Sequence, residues 1–156
     1  MRGVLNISEA FSLALHAAVL IAASDGRRET ARDMATALGA SENHLSKVLQ
    51  RMVRAGILVS TRGPGGGFSL GRPAREITLM QIYECVEGSF RPVRCLAPLP
   101  VCGGGRCVFG GLLERTSGEF GRYLEVMTLE DIGGRPKRGG RNENEKKDRG
   151  DRRGKV

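Results

Sequence analysis

One stretch constrains the fold more than any other, Ser41 to Phe68. Leu45, Val48, Leu49, Met52 and Val53 fall at i, i+3, i+4, i+7 and i+8, the spacing of one apolar stripe on a helix. Ser41 is placed to cap the start of that helix, and Gly56 to end it in a left-handed conformation. The opposite face carries Glu42, Asn43, Ser46, Lys47, Gln50, Arg51 and Arg54. Ile57 and Val59 then alternate with Leu58 and Ser60, as a short strand does. Arg62 leads into Gly63-Pro64-Gly65-Gly66-Gly67, and a second strand follows from Phe68. A polar-faced helix, a strand, a thin glycine tip and a return strand are the layout of a winged helix-turn-helix. Long hydrogen-bonding side chains on a helix can read base edges and phosphates in a major groove. A glycine tip led by an arginine can enter a minor groove. The expected DNA contacts are therefore Asn43, His44, Ser46, Lys47, Gln50 and Arg51 from the helix, with Arg62, Gly63, Gly65 and Gly66 from the wing.

The residues upstream fit this layout. Residues 8–24 read as a helix apolar almost all round, with Ser8, Ser12 and His16 on one narrow polar stripe. Such a helix is packed on several sides, so it should touch both the DNA-binding core and whatever lies behind it. His16 reads as a half-buried packing residue rather than a ligand. Asp25 to Arg28 form a turn, and Thr30, with Asp33 behind it, caps a helix whose inner stripe is Ala31, Met34, Ala35 and Leu38. Leu38-Gly39-Ala40-Ser41 is the tight turn between the two helices.

Downstream, Thr78 and Gln81 form a capping box for a helix that turns Leu79, Ile82, Tyr83 and Val86 inward, with Cys85 as a structural thiol. From Gly88 to Gly105, prolines and glycines remove all periodicity. Cys95 and Cys102 lie there, and Cys107 follows at the edge of the next helix, spaced Cys95-x6-Cys102-x4-Cys107. From Cys107 to Met127 the helical pattern returns. Phe109, Leu112, Leu113, Thr116, Phe120, Tyr123, Leu124 and Met127 form a stripe too long for a small winged domain to cover, which points to the same helix of a second subunit and a two-fold homodimer; a helix folded back on its own subunit is the other reading. Gly110, Gly111, Gly118 and Gly121 each cost such a helix about 1 kcal/mol relative to alanine, so it depends on packing.

The fold class expected is mostly α with a small β-hairpin wing: a winged helix-turn-helix plus a long C-terminal dimerisation helix. Residues 1–76 are the DNA-binding unit, 77–132 the cysteine loop and dimerisation helix, and 133–156 a disordered basic tail. Charge divides along the same lines. Of the net +8, residues 1–76 carry +4, residues 77–132 carry −2 and the tail carries +6. The high pI is thus mostly the tail's, and the +4 is the part that speaks for nucleic acid.

The apolar run Phe11 to Ala23 is too short to span a bilayer, and Ser12 and His16 interrupt it. A cytoplasmic protein without a membrane partner is expected, and there the cysteines serve as metal ligands or redox thiols rather than disulfides. Three thiolates on a flexible loop suit an iron–sulfur cluster. Zinc, a disulfide switch and inert thiols are the other readings, although zinc commonly uses a close cysteine pair that this loop lacks. An enzyme is not expected. Gly65–Gly67 lies between strands and opens no helix, so it is not a phosphate-binding fingerprint, and no nucleophile–base pair stands out. An iron–sulfur carrier or electron-transfer protein is the reading from a different class, but it has no use for a recognition face and an arginine-led tip.

Three features together resemble one family. Arg62-Gly63-Pro64-Gly65-Gly66-Gly67-Phe68-Ser69-Leu70-Gly71 is similar to the wing of the Rrf2 family of bacterial transcription regulators almost residue for residue. The trio Cys95, Cys102 and Cys107 and the closing Thr128-Leu129-Glu130-Asp131-Ile132 also resemble that family, in its IscR/NsrR group, over about residues 1–132. The resemblance implies a dimeric repressor that binds a pseudo-palindromic operator in double-stranded DNA, with a cluster on the cysteine trio controlling binding. IscR-like members place a histidine ligand for a 2Fe–2S cluster three residues after the last cysteine, where this chain has Gly110. The resemblance therefore implies the 4Fe–4S type of nitric-oxide or iron sensor. In some of these the fourth ligand comes from the partner's first helix, and here Glu9 is the candidate. Other members lack the trio and bind DNA without a cluster.

Overall fold

The computed structural model describes residues 7–24, 26–97 and 109–133. Cys102, Cys107 and the tail from residue 134 lie outside the described residues, so the expectations about them stay as they were. The elements in order are α1 (Glu9–Ala22), α2 (Ala31–Leu38), α3 (Glu42–Arg54), strands β1 (Leu58–Thr61) and β2 (Gly67–Leu70), a 3-10 turn (Ala74–Glu76), α4 (Leu79–Glu87), α5 (Leu112–Val126) and α6 (Leu129–Ile132).

The expected caps form. The hydroxyls of Thr30, Ser41 and Thr78 accept from the backbone N–H groups of Asp33, His44 and Gln81, and the Gln81 side chain returns a bond to Thr78. Gly39 and Gly56 end α2 and α3 in the left-handed region. At the latter end Ile57 N–H reaches Met52 O and Gly56 N–H reaches Val53 O, the paired bonds of a Schellman motif.

Helix α1 is the middle of the molecule. Phe11, Ala14, Ala17, Ala18 and Ile21 are buried, the three alanines completely. The helix packs on α2, α3 and β2 to one side and on α4 and α6 to another. One cluster takes in Leu45, Leu49 and Met52 of α3 as well as Ile82 of α4, Leu124 of α5 and Leu129 of α6, so the core runs without a break from the winged half to the rest. The chain's end is stitched to α4: Leu79 N–H bonds Met127 O and Leu129 N–H bonds Ile77 O.

Three expectations need correction. His16 is exposed rather than half-buried, and its Nδ1 lies 2.7 Å from Ser12 O on the solvent side of α1. The alternation read at residues 57–60 is out of register. Ile57 and Leu58 are both buried and Val59 is exposed, because Ile57 belongs to the helix-ending motif and the strand begins only at Leu58. The last long helix begins at Leu112, not Cys107, because Gly111 is left-handed (φ 82°) and halts helical propagation.

The apolar stripe of α5 also divides in two. Leu113, Ser117, Gly121 and Leu124 are buried against the same subunit. The ring of Phe90 lies over Gly121, where a Cβ would come within 2.5 Å of Phe90 Cε1. Tyr83 meets Phe11, Phe90 and Phe120 edge-on at centroid distances of 5.2, 5.6 and 6.4 Å, which holds that ring in place. The other side leaves Phe109, Leu112, Tyr123 and Val126 exposed.

The two helical glycines should therefore respond oppositely to alanine. Gly121→Ala must displace a ring fixed by its neighbours and should lower stability by about 1–3 kcal/mol. Gly118, whose added Cβ meets nothing nearer than Arg122 at 3.8 Å, should gain about 0.5–1 kcal/mol from Gly118→Ala. Thermal denaturation of the two variants checks the sign of each.

Candidate nucleic-acid interface

Helix α3 divides cleanly. Leu45, Val48, Leu49 and Met52 are buried, while Asn43, Lys47, Gln50, Arg51 and Arg54 are exposed. Ser46, Lys47, Gln50, Arg51 and Arg54 line one open concavity of about 350 Å³ along the helix. Hydroxyl, ammonium, amide and guanidinium groups on one wall form a donor-rich surface suited to phosphate and base-edge oxygens.

Two expected contact residues have intramolecular commitments that sequence spacing does not reveal. Arg51 Nη1 donates to Val86 O at 3.2 Å, so its guanidinium rests on the last turn of α4, where a cation suits the negative end of the helix dipole. His44 lies in the first turn of α3 with Nδ1 3.7 Å from Glu9 Oε1 on α1. Asn43, Lys47 and Gln50 form no such link among the described residues.

The wing is a two-stranded antiparallel hairpin pairing Leu58 with Leu70 and Thr61 with Gly67, with Arg62–Gly66 as its tip. Arg62, Gly63 and Gly65 are exposed and Gly66 is half-buried. A Cβ on Gly66 would fall 2.4 Å from Thr61 O, so the tip closes only over a residue without one. Outside the hairpin, Glu29 exchanges both backbone bonds with Phe68, at 3.0 and 2.8 Å, as a single antiparallel bridge. A Cβ on Gly67 would meet Glu29 O at 2.7 Å, so this glycine is what lets the bridging segment approach.

Of the cysteine trio only Cys95 is described. It is free and half-buried. Its loop is pinned to α5: Val93 N–H donates to the buried Ser117 Oγ at 2.9 Å, and Arg94 Nε meets Glu114 Oε1 at 3.0 Å. This places Cys95 beside the opening turns of α5, the same helix that Cys107 precedes by five residues. Among the described residues no three His, Cys, Asp or Glu side chains gather as a metal site. Glu9 is exposed at the start of α1.

Cys85 is a different thiol. It donates to Ile82 O at 3.1 Å, and burial pushes its pKa up to about 11 against the opposing charge of Arg51. A proton held that firmly leaves little thiolate for a metal or an oxidant.

Comparison with known proteins agrees with this geometry. A family model, Rrf2, described as an iron-dependent transcriptional regulator, matches residues 7–134. The HTH-type transcriptional regulator IscR of Pectobacterium carotovorum is 31% identical over 100 residues, covering 64% of this chain and 61% of that protein. Protein aau3 of Rhizobium meliloti is 34% identical over 106 residues, covering 64% and 66%. The chain therefore spans less than two thirds of the length of these curated relatives. Among solved structures, CymR (YrzC), described as the global cysteine regulator of B. subtilis, superposes with a TM-score of 0.69 at 26% identity, covering 83% of this chain and 96% of that one. IscR of T. potens superposes with a TM-score of 0.63 at 24% identity, covering 82% and 85%, and shows the fold alone. Among the described residues no helix is long and apolar enough to cross a membrane.

The contrast between thiols can be measured. At pH 8 a thiol of pKa about 11 is on the order of 10⁻³ ionised, against about a tenth for an ordinary one. In the folded protein Cys85 should alkylate with iodoacetamide about a hundredfold more slowly than after unfolding in urea. Peptide mass spectrometry reads the difference, and equal rates would show that the thiol is not shielded.

Proposed function

We propose a function on one premise: the chain belongs to the Rrf2 family, whose members are DNA-binding transcriptional regulators and not enzymes. On that premise it is a homodimeric repressor that reads a pseudo-palindromic operator with α3 and the wing, and an iron–sulfur cluster controls the binding. The observation that carries this reading is the exposed donor-rich face of α3 beside an arginine-led glycine tip. Lys47, Ser46, Gln50 and Asn43 take base edges and phosphates in the major groove, and Arg62, with Gly63, Gly65 and Gly66, enters the neighbouring minor groove.

The dimer reading rests on the exposed face of α5. Leu112, Thr116, Glu119, Tyr123 and Val126 follow one another at alternating steps of four and three, the seam of a helix that packs on another helix. Three of the five are large apolar or aromatic residues left exposed. A second copy of α5 covers them and sets two recognition helices on one face of the duplex.

Cys95, Cys102 and Cys107 would hold the cluster, of the 4Fe–4S type, with Glu9 of the partner subunit as the fourth ligand. When bound, such a group supplies an iron centre reactive toward nitric oxide and oxygen. The chain's own part is to transmit the state of the loop. Val93 and Arg94 fix the loop to α5, Phe90 N–H bonds Glu84 Oε1 of α4, and Arg51 ties the last turn of α4 to α3. Control requires that the two loop states differ in affinity for DNA.

Anaerobic purification with iron, sulfide and visible-absorption measurements, followed by gel shifts on the chain's own upstream promoter DNA, tests the reading. A coloured protein whose binding changes with nitric oxide is expected. A colourless, iron-free protein after reconstitution removes the cluster and leaves a thiol-controlled or zinc-dependent regulator. Arg62→Ala should cost about 1–3 kcal/mol of promoter binding. Tyr123→Glu with Val126→Glu places charges on the seam, and by sedimentation should turn the dimer into a monomer with an unchanged circular dichroism spectrum.

A further inference from the structure

We propose that Arg28 is a second wing cation, a DNA-contacting residue that grips the phosphate backbone flanking the groove the glycine tip enters. This rests on the DNA-binding reading above and adds to it a residue from outside the hairpin.

Arg28 is placed by backbone pairing. It directly precedes Glu29, whose N–H and C=O both bond Phe68 of β2. That register sets Arg28 beside the tip: its Cβ is 3.3 Å from where a methyl on Gly67 would stand. Nη1 reaches toward Gly65 O at 3.5 Å, the outer limit of a hydrogen bond and therefore a weak tether. The residue is exposed, and among the described residues no carboxylate pairs with it.

Three other arginines of the winged half are held more closely. Arg27 Nε donates to Ser24 O at 3.3 Å, Arg51 to Val86 O at 3.2 Å, and Arg72 to Gln81 Oε1 at 3.3 Å. Arg28 retains most of its five donors on the same rim as Arg62. A guanidinium presents those donors as a planar fork that matches two oxygens of one phosphate. Arg62 belongs to the tip itself and leads into the groove. Arg28 stands outside the hairpin beside the tip, within reach of the sugar–phosphate wall that would flank it. Its contact should therefore add affinity without sequence preference.

The test uses the full chain and two duplexes of equal length, one from its own upstream promoter and one of random sequence, with affinity followed by fluorescence anisotropy across a salt series. Arg28→Ala should weaken both duplexes by a similar factor, roughly fivefold, and reduce the slope of log K against log salt by about one. Arg28→Lys should keep the slope. Arg28→Ala with unchanged affinity and slope, while Lys47→Ala and Arg62→Ala weaken promoter binding, overturns the inference and leaves the DNA reading standing. If none of the three substitutions weakens binding, both fall together. A loss of affinity with an unchanged slope, restored by Arg28→Gln, which can still donate to Gly65, would make Arg28 a tether of the tip and also overturn the inference.

Discussion

The structure depends on the burial of α1 between two halves that need each other's surface. Ala14, Ala17 and Ala18 have no exposed area, and small side chains there let α3 and α4 both come close to one helix. Each half alone would leave one side of α1 in water. Full burial of such a helix removes apolar area at about 25 cal/mol per Å², and most of that gain is available only when both sides are covered. The winged unit and the loop-bearing unit are therefore not independent bodies joined by a linker. A close-packed interior transmits displacement rather than absorbing it, so a shift of α4 is felt at α3.

The last turn of α4 concentrates that connection. Arg51 of α3 donates to Val86 O, the Ser8 hydroxyl at the start of α1 donates to the Glu87 carboxylate, and Glu84 accepts from Phe90 N–H at the mouth of the cysteine loop. Three elements thus meet within four residues of α4. Phe90 then carries the loop onto α5, where Gly121 leaves room for its ring. A change in the loop has only one helical turn to cross before it reaches a residue of α3. Regulation at such a joint needs two arrangements of packed side chains, not a long relay.

What the sequence made legible follows from how local each determinant is. Caps at Thr30, Ser41 and Thr78, and helix ends at Gly39 and Gly56, involve residues a few positions apart, and spacing reveals them. The apolar stripe of α3 and the outward polar set were legible for the same reason. The α5 stripe was readable only as a sum, because periodicity counts apolar residues without saying which neighbour covers them. One side of it faces Phe90 and α4, and the other faces solvent in this chain. The start of α5 was misplaced because Gly111 fits a helical pattern as readily as a left-handed turn. The ties of Arg51 to Val86 and of His44 to Glu9 join residues 35 apart in the chain, a distance at which a single sequence holds no record of contact.

Charge completes the division of labour. Residues 1–76 hold ten basic and six acidic side chains, and residues 77–132 hold five and seven. The exposed cations Lys47, Arg54 and Arg62 belong to the winged half, whereas Glu119, Glu125 and Glu130 are exposed on the other. Between these two segments the net charges differ in sign, so residues 1–76 attract a polyanion more than residues 77–132 do. Residues 77–132, the half with the acidic excess, also carry the exposed apolar face of α5.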